Sequence, residues 1–175
     1  MRSLFAALAA VVFVLPSAAE SKVVLTGENT KITFVGTKPG GKHEGGFKKL
    51  TGAAVVDGDT VKKIEVVIET DSIYSDNEKL TAHLKAPDFF GVKDNPKAKF
   101  VSTKIEKADK GVTITGDLTI NGKSKSISFP ATVVAKDGSV KITSTFSIDK
   151  RDYGMTYGGG KIDDAVAITV SVDAK

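Results

Sequence analysis

The sequence predicts an all-β domain: eight antiparallel strands closed into a barrel, with a short helix and an aromatic loop between strands three and four. Three observations predict it. Eight segments alternate apolar and polar residues with period two. Turn-forming pairs, Asp57-Gly58, Asn121-Gly122 and Asp137-Gly138, stand between several of them. A single stretch, Ser75 to Pro96, departs from the alternation, with two leucines at helical spacing, two prolines and adjacent phenylalanines. Closure into a barrel removes the exposed edges of a long open sheet; a sandwich of two sheets is the alternative architecture.

The first strand runs from Lys31 to Thr37, with Ile32 and Phe34 on one face. Gly45-Gly46-Phe47 leads into a second that ends at Asp57-Gly58-Asp59. Ile64, Val66 and Ile68 face inward on the third, and Glu65 and Glu69 outward. The fourth runs from Phe100 to Ile105, and the fifth carries Val112, Ile114, Leu118 and Ile120. Asn121-Gly122 is a two-residue hairpin signal, because both residues tolerate the positive φ of a type I′ turn. A turn that tight places Ile114 opposite Phe129 and Leu118 opposite Lys125. Ile127, Phe129, Ala131 and Val133 then line strand six, Ile142, Phe146 and Ile148 strand seven, and Val166, Ile168, Val170 and Val172 strand eight.

The irregular stretch reads as a capped helix followed by a plug. Ser75 and Glu78 have capping-box spacing, and Leu80 and Leu84 share a helical face beside His83. Pro87 stops the helix near Ala86. Phe89 and Phe90 then lie in a tight turn across one barrel end.

The N-terminal MRSLFAALAAVVFVLPSAAES has a positive start at Arg2, an apolar run from Leu4 to Leu15, and small residues at Ser17-Ala18-Ala19. That is the build of a secretory leader occupying residues 1–19, cut near Ala19. The apolar run is shorter than the ~20 residues of a membrane-crossing helix, so the expectation is a periplasmic or secreted protein without stable membrane insertion. Residues 22–175 then form one domain. The chain has no cysteine, so the core alone stabilises the fold. Of 25 basic residues only Arg2 belongs to the leader, so the formal charge of +4 becomes +3 on cleavage. Dispersed lysines and the lack of tryptophan argue against a nucleic-acid partner.

Catalytic chemistry has little support: no cysteine nucleophile, no Gly-x-Ser-x-Gly elbow, and two histidines in separate segments. Metal ligation by His43, Glu44, His83 and Asp88 lacks the close spacing of zinc sites, so no metal and no cofactor is expected. Gly40-Gly41 and Gly158-Gly159-Gly160 sit in no strand–helix unit and read as loops rather than phosphate cradles. The candidate lining is apolar: Phe34, Phe47, Leu80, Leu84, Phe89, Phe90, Phe100, Leu118, Phe129 and Phe146. These either fill the barrel or line a tunnel, since a packed core and an apolar cavity have the same period. His43, His83, Lys85 and Arg151 are the candidates for a polar head group.

The run NEKLTAHLKAPDFFGVKDNPKAKFVSTKI, residues 77–105, resembles the signature of the YceI-like, polyisoprenoid-binding, lipocalin-like family. FVGTKPGGKHEGGF, GDLTINGKSKSISFPA, FSIDKRDYGM and DDAVAITVSVDA agree with it in order. The resemblance implies a lipocalin-like eight-stranded barrel, export, and binding of long apolar chains with a polar head: polyisoprenoids, their quinone or pyrophosphate derivatives, and fatty-acid-like amides. It carries over to His83, Leu84, Phe89, Phe90, Pro96 and Phe100, and to Arg151, Asp152 and Gly154.

The expected function is thus a non-catalytic protein holding an amphiphilic lipid, an isoprenoid or isoprenoid quinone among them. The alternative is a filled barrel acting as a scaffold or stress-related protein through surface contacts with a membrane redox partner. A homodimer is left open.

Overall fold

Period-two alternation produces eleven antiparallel strands in the computed structural model, which describes residues 20–175. They are β1 (Ser21–Thr26), β2 (Thr30–Lys38), β3 (Gly41–Phe47), β4 (Leu50–Asp57), β5 (Thr60–Glu69), β6 (Ile73–Ser75), β7 (Lys97–Lys107), β8 (Val112–Ile120), β9 (Lys123–Lys136), β10 (Ser139–Asp149) and β11 (Ala165–Ala174). One helix, α1 (Glu78–Lys85), lies between β6 and β7, and 3-10 turns occupy Thr70–Ser72 and Lys150–Tyr153. The leader expected at residues 1–19 lies outside the described residues.

The strands form one sheet in the order β1-β4-β5-β7-β8-β9-β10-β11-β2-β3-β6, curled around a common interior. All-β architecture, antiparallel pairing and the single short helix are as the sequence predicts; the strand count is not. β1 adds a strand through Val23 and Leu25, which are buried by pairing with β4. The second expected strand is two, because the chain breaks at Lys48-Lys49 and because Gly41 to Gly46 has too few side chains to display an alternation. Ile73–Ser75 adds a three-residue strand that ends where the chain turns into α1.

Closure differs too. The outermost strands, β1 and β6, share no ladder. Loop backbone crosses there instead, with Lys48 N–H donating to Ser72 O (3.2 Å) and Glu69 N–H to Lys49 O (3.1 Å). The short β6 and the glycine-rich β3 offer too little regular edge for a full ladder.

The β8–β9 hairpin has the predicted register, Ile114 opposite Phe129 and Leu118 opposite Lys125. Asn121 and Gly122 take φ of 51° and 69°, as a type I′ turn requires. A bulge at Ser102 to Lys104 bends β7, and the buried Ser102 hydroxyl accepts the Ile64 N–H there (2.8 Å).

Two ends of the curled sheet follow from these hairpins. The Asp57-Gly58, Lys107–Val112 and Asp137-Gly138 connections gather at one end, and Val56, Val61, Ala135, Val140 and Ala174 pack it shut. α1, the Phe89–Phe90 turn, Asn121 and the segment from Lys150 to Asp164 gather at the other.

Candidate functional site

Behind the packed end, the side chains do not fill the interior. A cavity of about 250 Å³ remains. All ten apolar residues singled out from the sequence line it: Phe34, Phe47, Leu80, Leu84, Phe89, Phe90, Phe100, Leu118, Phe129 and Phe146. Phe34, Phe100, Leu118, Phe146 and Ile148 point inward yet are only partly buried, because they border empty space rather than other side chains. At the packed end, inward residues such as Val140 and Ala174 are 0% and 1% exposed.

Aromatic rings shape the space. Phe129 stacks on Phe146 with centroids 4.2 Å apart, and Phe100 leans on Phe129 at 5.7 Å. Nearer α1, Phe47 bridges Phe34 (6.3 Å) and Phe90 (5.6 Å). The sequence reading missed the glycines that let two of these rings lie flat. A Cβ at Gly116 would stand 2.6 Å from the Phe100 ring, and one at Gly45 would overlap Phe34 and the Tyr74 carbonyl. Glycine inside an otherwise alternating strand is the signal that marks such close approach.

The element closing the open end is anchored at three places. First, α1 starts at Asn77, whose side chain accepts from Leu80 N–H (3.0 Å). The Ser75–Glu78 capping box is therefore not formed. Ser75 is still in β6, and its hydroxyl donates to Asn77 O (2.8 Å) and meets Thr81 Oγ1 (3.0 Å). Ala86 ends the helix, as Pro87 predicts. Second, Asn121 at the hairpin tip donates its Nδ2 to Phe89 O (2.6 Å) and Tyr153 O (3.4 Å). Third, His83 stands edge-on to Phe89 (5.0 Å) and Tyr157 (4.5 Å), which joins α1 to the glycine-rich loop.

Asn121 thus has two roles, and glycine separates them. Asn121→Gly keeps the positive φ but leaves the Phe89 and Tyr153 carbonyls without a donor. It is expected to cost about 1–2 kcal/mol. Hydrogen exchange of the Phe89–Val92 amides should quicken by about tenfold while the β10–β11 ladder stays protected. Unchanged exchange in the lid would show that Asn121 serves the turn alone.

The four residues proposed for a polar head are placed differently. His43 lines the cavity, but both its nitrogens are engaged. Nε2 accepts from Lys38 Nζ (3.3 Å), since an ammonium only donates, so the proton sits on Nδ1 facing Asp76 (2.9 Å). His83, Lys85 and Arg151 do not line the cavity. His83 Nε2 meets Asp88 (3.1 Å), and Lys85 pairs with Asp71 (3.0 Å). Arg151 pairs with Asp149 (2.6 Å) and Asp164 (3.1 Å); its guanidinium holds the Asp149 carboxyl down at about 2. Gly158 and Gly160 turn the nearby loop with positive φ, and Lys161 N–H donates to Gly158 O (2.7 Å).

Several polar residues of the wall escaped the sequence reading, Lys150 and Tyr153 among them. Lys150 is 4% exposed and lines the cavity, its ammonium bonded to the Asp164 carboxylate. The signal was present: Ile142, Ser144, Phe146 and Ile148 all face inward, and Lys150 continues that parity into the 3-10 turn.

Tyr153, beside it, is 1% exposed and also lines the cavity. Burial, helped by the Asp152 charge, pushes its phenol up to about 12. Folding therefore favours the neutral phenol. Its contribution is complete below the unfolded value near pH 10 and is lost as the pH rises through 12, about 2–3 kcal/mol in all. Denaturant midpoints should fall across pH 10–12, and Tyr153→Phe should flatten that slope. An equal slope in both proteins would contradict this.

The same fold occurs in solved proteins. BcnA of Burkholderia cenocepacia superposes with a TM-score of 0.75 over 83% of this chain and 96% of its own, at 23% identity. A YCEI protein of Campylobacter jejuni does so at 0.61, covering 75% and 84% of the two chains at 28% identity. A polyisoprenoid binding domain from Saccharophagus degradans reaches 0.69 at 13% identity, over 91% of this chain and 99% of that one. In sequence, a UPF0312 protein of Serratia proteamaculans is 27% identical over 137 residues, 74% of this chain and 71% of that one. A UPF0312 protein of Pseudomonas putida is 34% identical over 118 residues, and the match spans 63% of this chain and 61% of the relative's length. The YceI-like domain model matches residues 23–174, the span that builds the curled sheet, the lid and the cavity. With motif, fold and matched span in agreement, the chain belongs to the YceI-like domain family.

Proposed function

We propose that this protein is an exported, non-catalytic binding protein that holds a long-chain amphiphilic lipid in its cavity. The observation that carries the reading is the hollow interior: inward phenylalanines and leucines keep surface exposed to an apolar space of about 250 Å³. That volume is slightly below the ~300–1,000 Å³ of typical small-molecule pockets, so it suits a slender chain better than a bulky ligand. Each methylene withdrawn from water contributes about 0.8 kcal/mol, so a chain of a dozen offsets the cost of ordering it.

Several features support the finer points. Polyisoprenoid is the ligand class named for the Saccharophagus degradans protein of the same fold. The leader-like residues 1–19 support export to the periplasm or beyond. No helix among the described residues is long and apolar enough to cross a membrane.

Native mass spectrometry of protein purified gently from its own host, followed by lipid extraction, tests the proposal. The expected result is a reproducible added mass that organic solvent releases as a long-chain lipid. Protein that is empty in every preparation and takes up no lipid from mixed extracts would defeat it.

A further inference from the structure

We infer that the cross-strand pair Ile142–Val172 is the floor of the cavity and sets the longest chain it accepts: a single tail about as long as one bilayer leaflet, lying with its apolar end on that pair. The inference rests on the lipid-binding reading and adds to it the length class of the ligand and the residues that measure it.

Strand register fixes where the space ends. Four inward pairs of β10 and β11 border it: Ile142–Val172, Ser144–Val170, Phe146–Ile168 and Ile148–Val166. The next pair toward the closed end, Val140–Ala174, does not, and both its side chains are buried. Thr30 of β2, opposite Val172, continues the floor. On the other wall the lining stops in the same way. Ile64 of β5 and Ile114 of β8 border the cavity, whereas Val61 and Val112, nearer the closed end, do not. Exposure along β10 falls in that direction. Ile148 and Phe146 are partly buried, and Ser144, Ile142 and Val140 are 7%, 3% and 0% exposed.

The floor is stiff. Ile64, Ile114, Ile142 and Val172 are all β-branched, which restricts χ1, and the packed Val140 and Ala174 leave no room to retreat. From Ile142 to Ile148 the strand covers about 20 Å at ~3.4 Å per residue. With the ~35–45° tilt of barrel strands, that is about 15 Å along the axis. Half of a bilayer's hydrocarbon core, at ~30 Å, has the same depth.

Polarity fixes the orientation. At the deep end the Thr30 hydroxyl donates to Asn29 Oδ1 (3.0 Å), and the Ser144 hydroxyl to Pro130 O (2.6 Å). Thr37, Lys38, His43 and Asp163 border the cavity at or beyond the last pair, where Asp163 N–H donates to Thr37 O (2.9 Å). A polar head therefore stays at the lid end while the tail reaches the floor.

Straight-chain 1-alkanols from octanol to eicosanol test this by displacing an environment-sensitive apolar dye from delipidated mature protein. Wild-type affinity is expected to rise about fourfold per methylene. It levels off once the chain spans about 15 Å, because further carbons stay outside. Ile142→Ala should move the levelling point to chains about two carbons longer, into the space the lost side chain leaves. Val172→Phe should move it to shorter chains. Melting curves check both variants, and where one fails to fold the other decides. A variant that merely loosens the fold weakens every alcohol alike and leaves the levelling point in place. The same levelling point in wild type and folded variants, or a wild-type affinity that climbs unbroken to eicosanol, would overturn the floor. A wild type that binds no alcohol and carries no lipid from its host would instead defeat the lipid-binding reading beneath.

Discussion

Gly45→Ala is expected to lower the stability of this protein by about 3 kcal/mol or more, a large loss for a single added methyl group. Gly45 sits in the middle of β3, paired with Phe34 on one side and Ser75 on the other. The added Cβ would overlap the Tyr74 carbonyl oxygen, which is backbone and cannot step aside, and the Phe34 ring, which would have to leave the cavity wall. Gly36 is the control. It lies on β2 at the cavity with nothing within 4 Å of its would-be Cβ, so Gly36→Ala should be nearly neutral. Urea or thermal denaturation of the two variants is the measurement. A Gly45→Ala loss under about 1 kcal/mol would mean that the β3–β6 edge yields easily.

Leu118→Trp is expected to abolish lipid uptake while the fold survives. Leu118 points inward from β8, opposite Lys125 on one neighbouring strand and Phe100 on the other, and it borders the cavity. In a filled core an indole there would cost about 1–3 kcal/mol through overpacking. In a hollow one it moves into vacant space and removes it from the ligand. The variant should therefore melt within a few degrees of the wild type and bind an apolar dye at least about tenfold more weakly. Strong destabilisation with undiminished uptake would place the ligand elsewhere.

Much of this fold was legible because it is local. The inward parity of Ile64, Val66 and Ile68, or of Ile142 and Phe146, needs only alternation. The register of Ile114 with Phe129 needs only a two-residue turn whose residues accept positive φ. The helix stop at Ala86 needs only Pro87. Where the reading failed, longer reach was involved. Ser75 has capping-box spacing to Glu78, but pairing of β6 with β3 holds it in a strand and passes the cap to Asn77. Gly41 to Gly46 shows little alternation, yet it forms a strand because β2 and β6 flank it. Lys150 and Asp164 are 14 residues apart across an irregular loop that gives no turn signal fixing their register, and they meet because β10 and β11 are neighbours.

The amino-acid sequence by itself determined the β-class, the inward face of each strand, the main hairpin and the position of the aromatic plug. Tertiary structure decided that eleven strands curl where eight were expected to close, that the interior is packed at one end and hollow at the other, and that His43 and the buried Lys150 belong to the cavity wall while His83, Lys85 and Arg151 do not. The reason is physical. A packed core and an apolar cavity present the same period-two pattern along every strand, and they differ only in the distance across the interior. That distance depends on how many strands pair, how strongly the sheet curls, and which glycines let Phe34 and Phe100 lie against the wall.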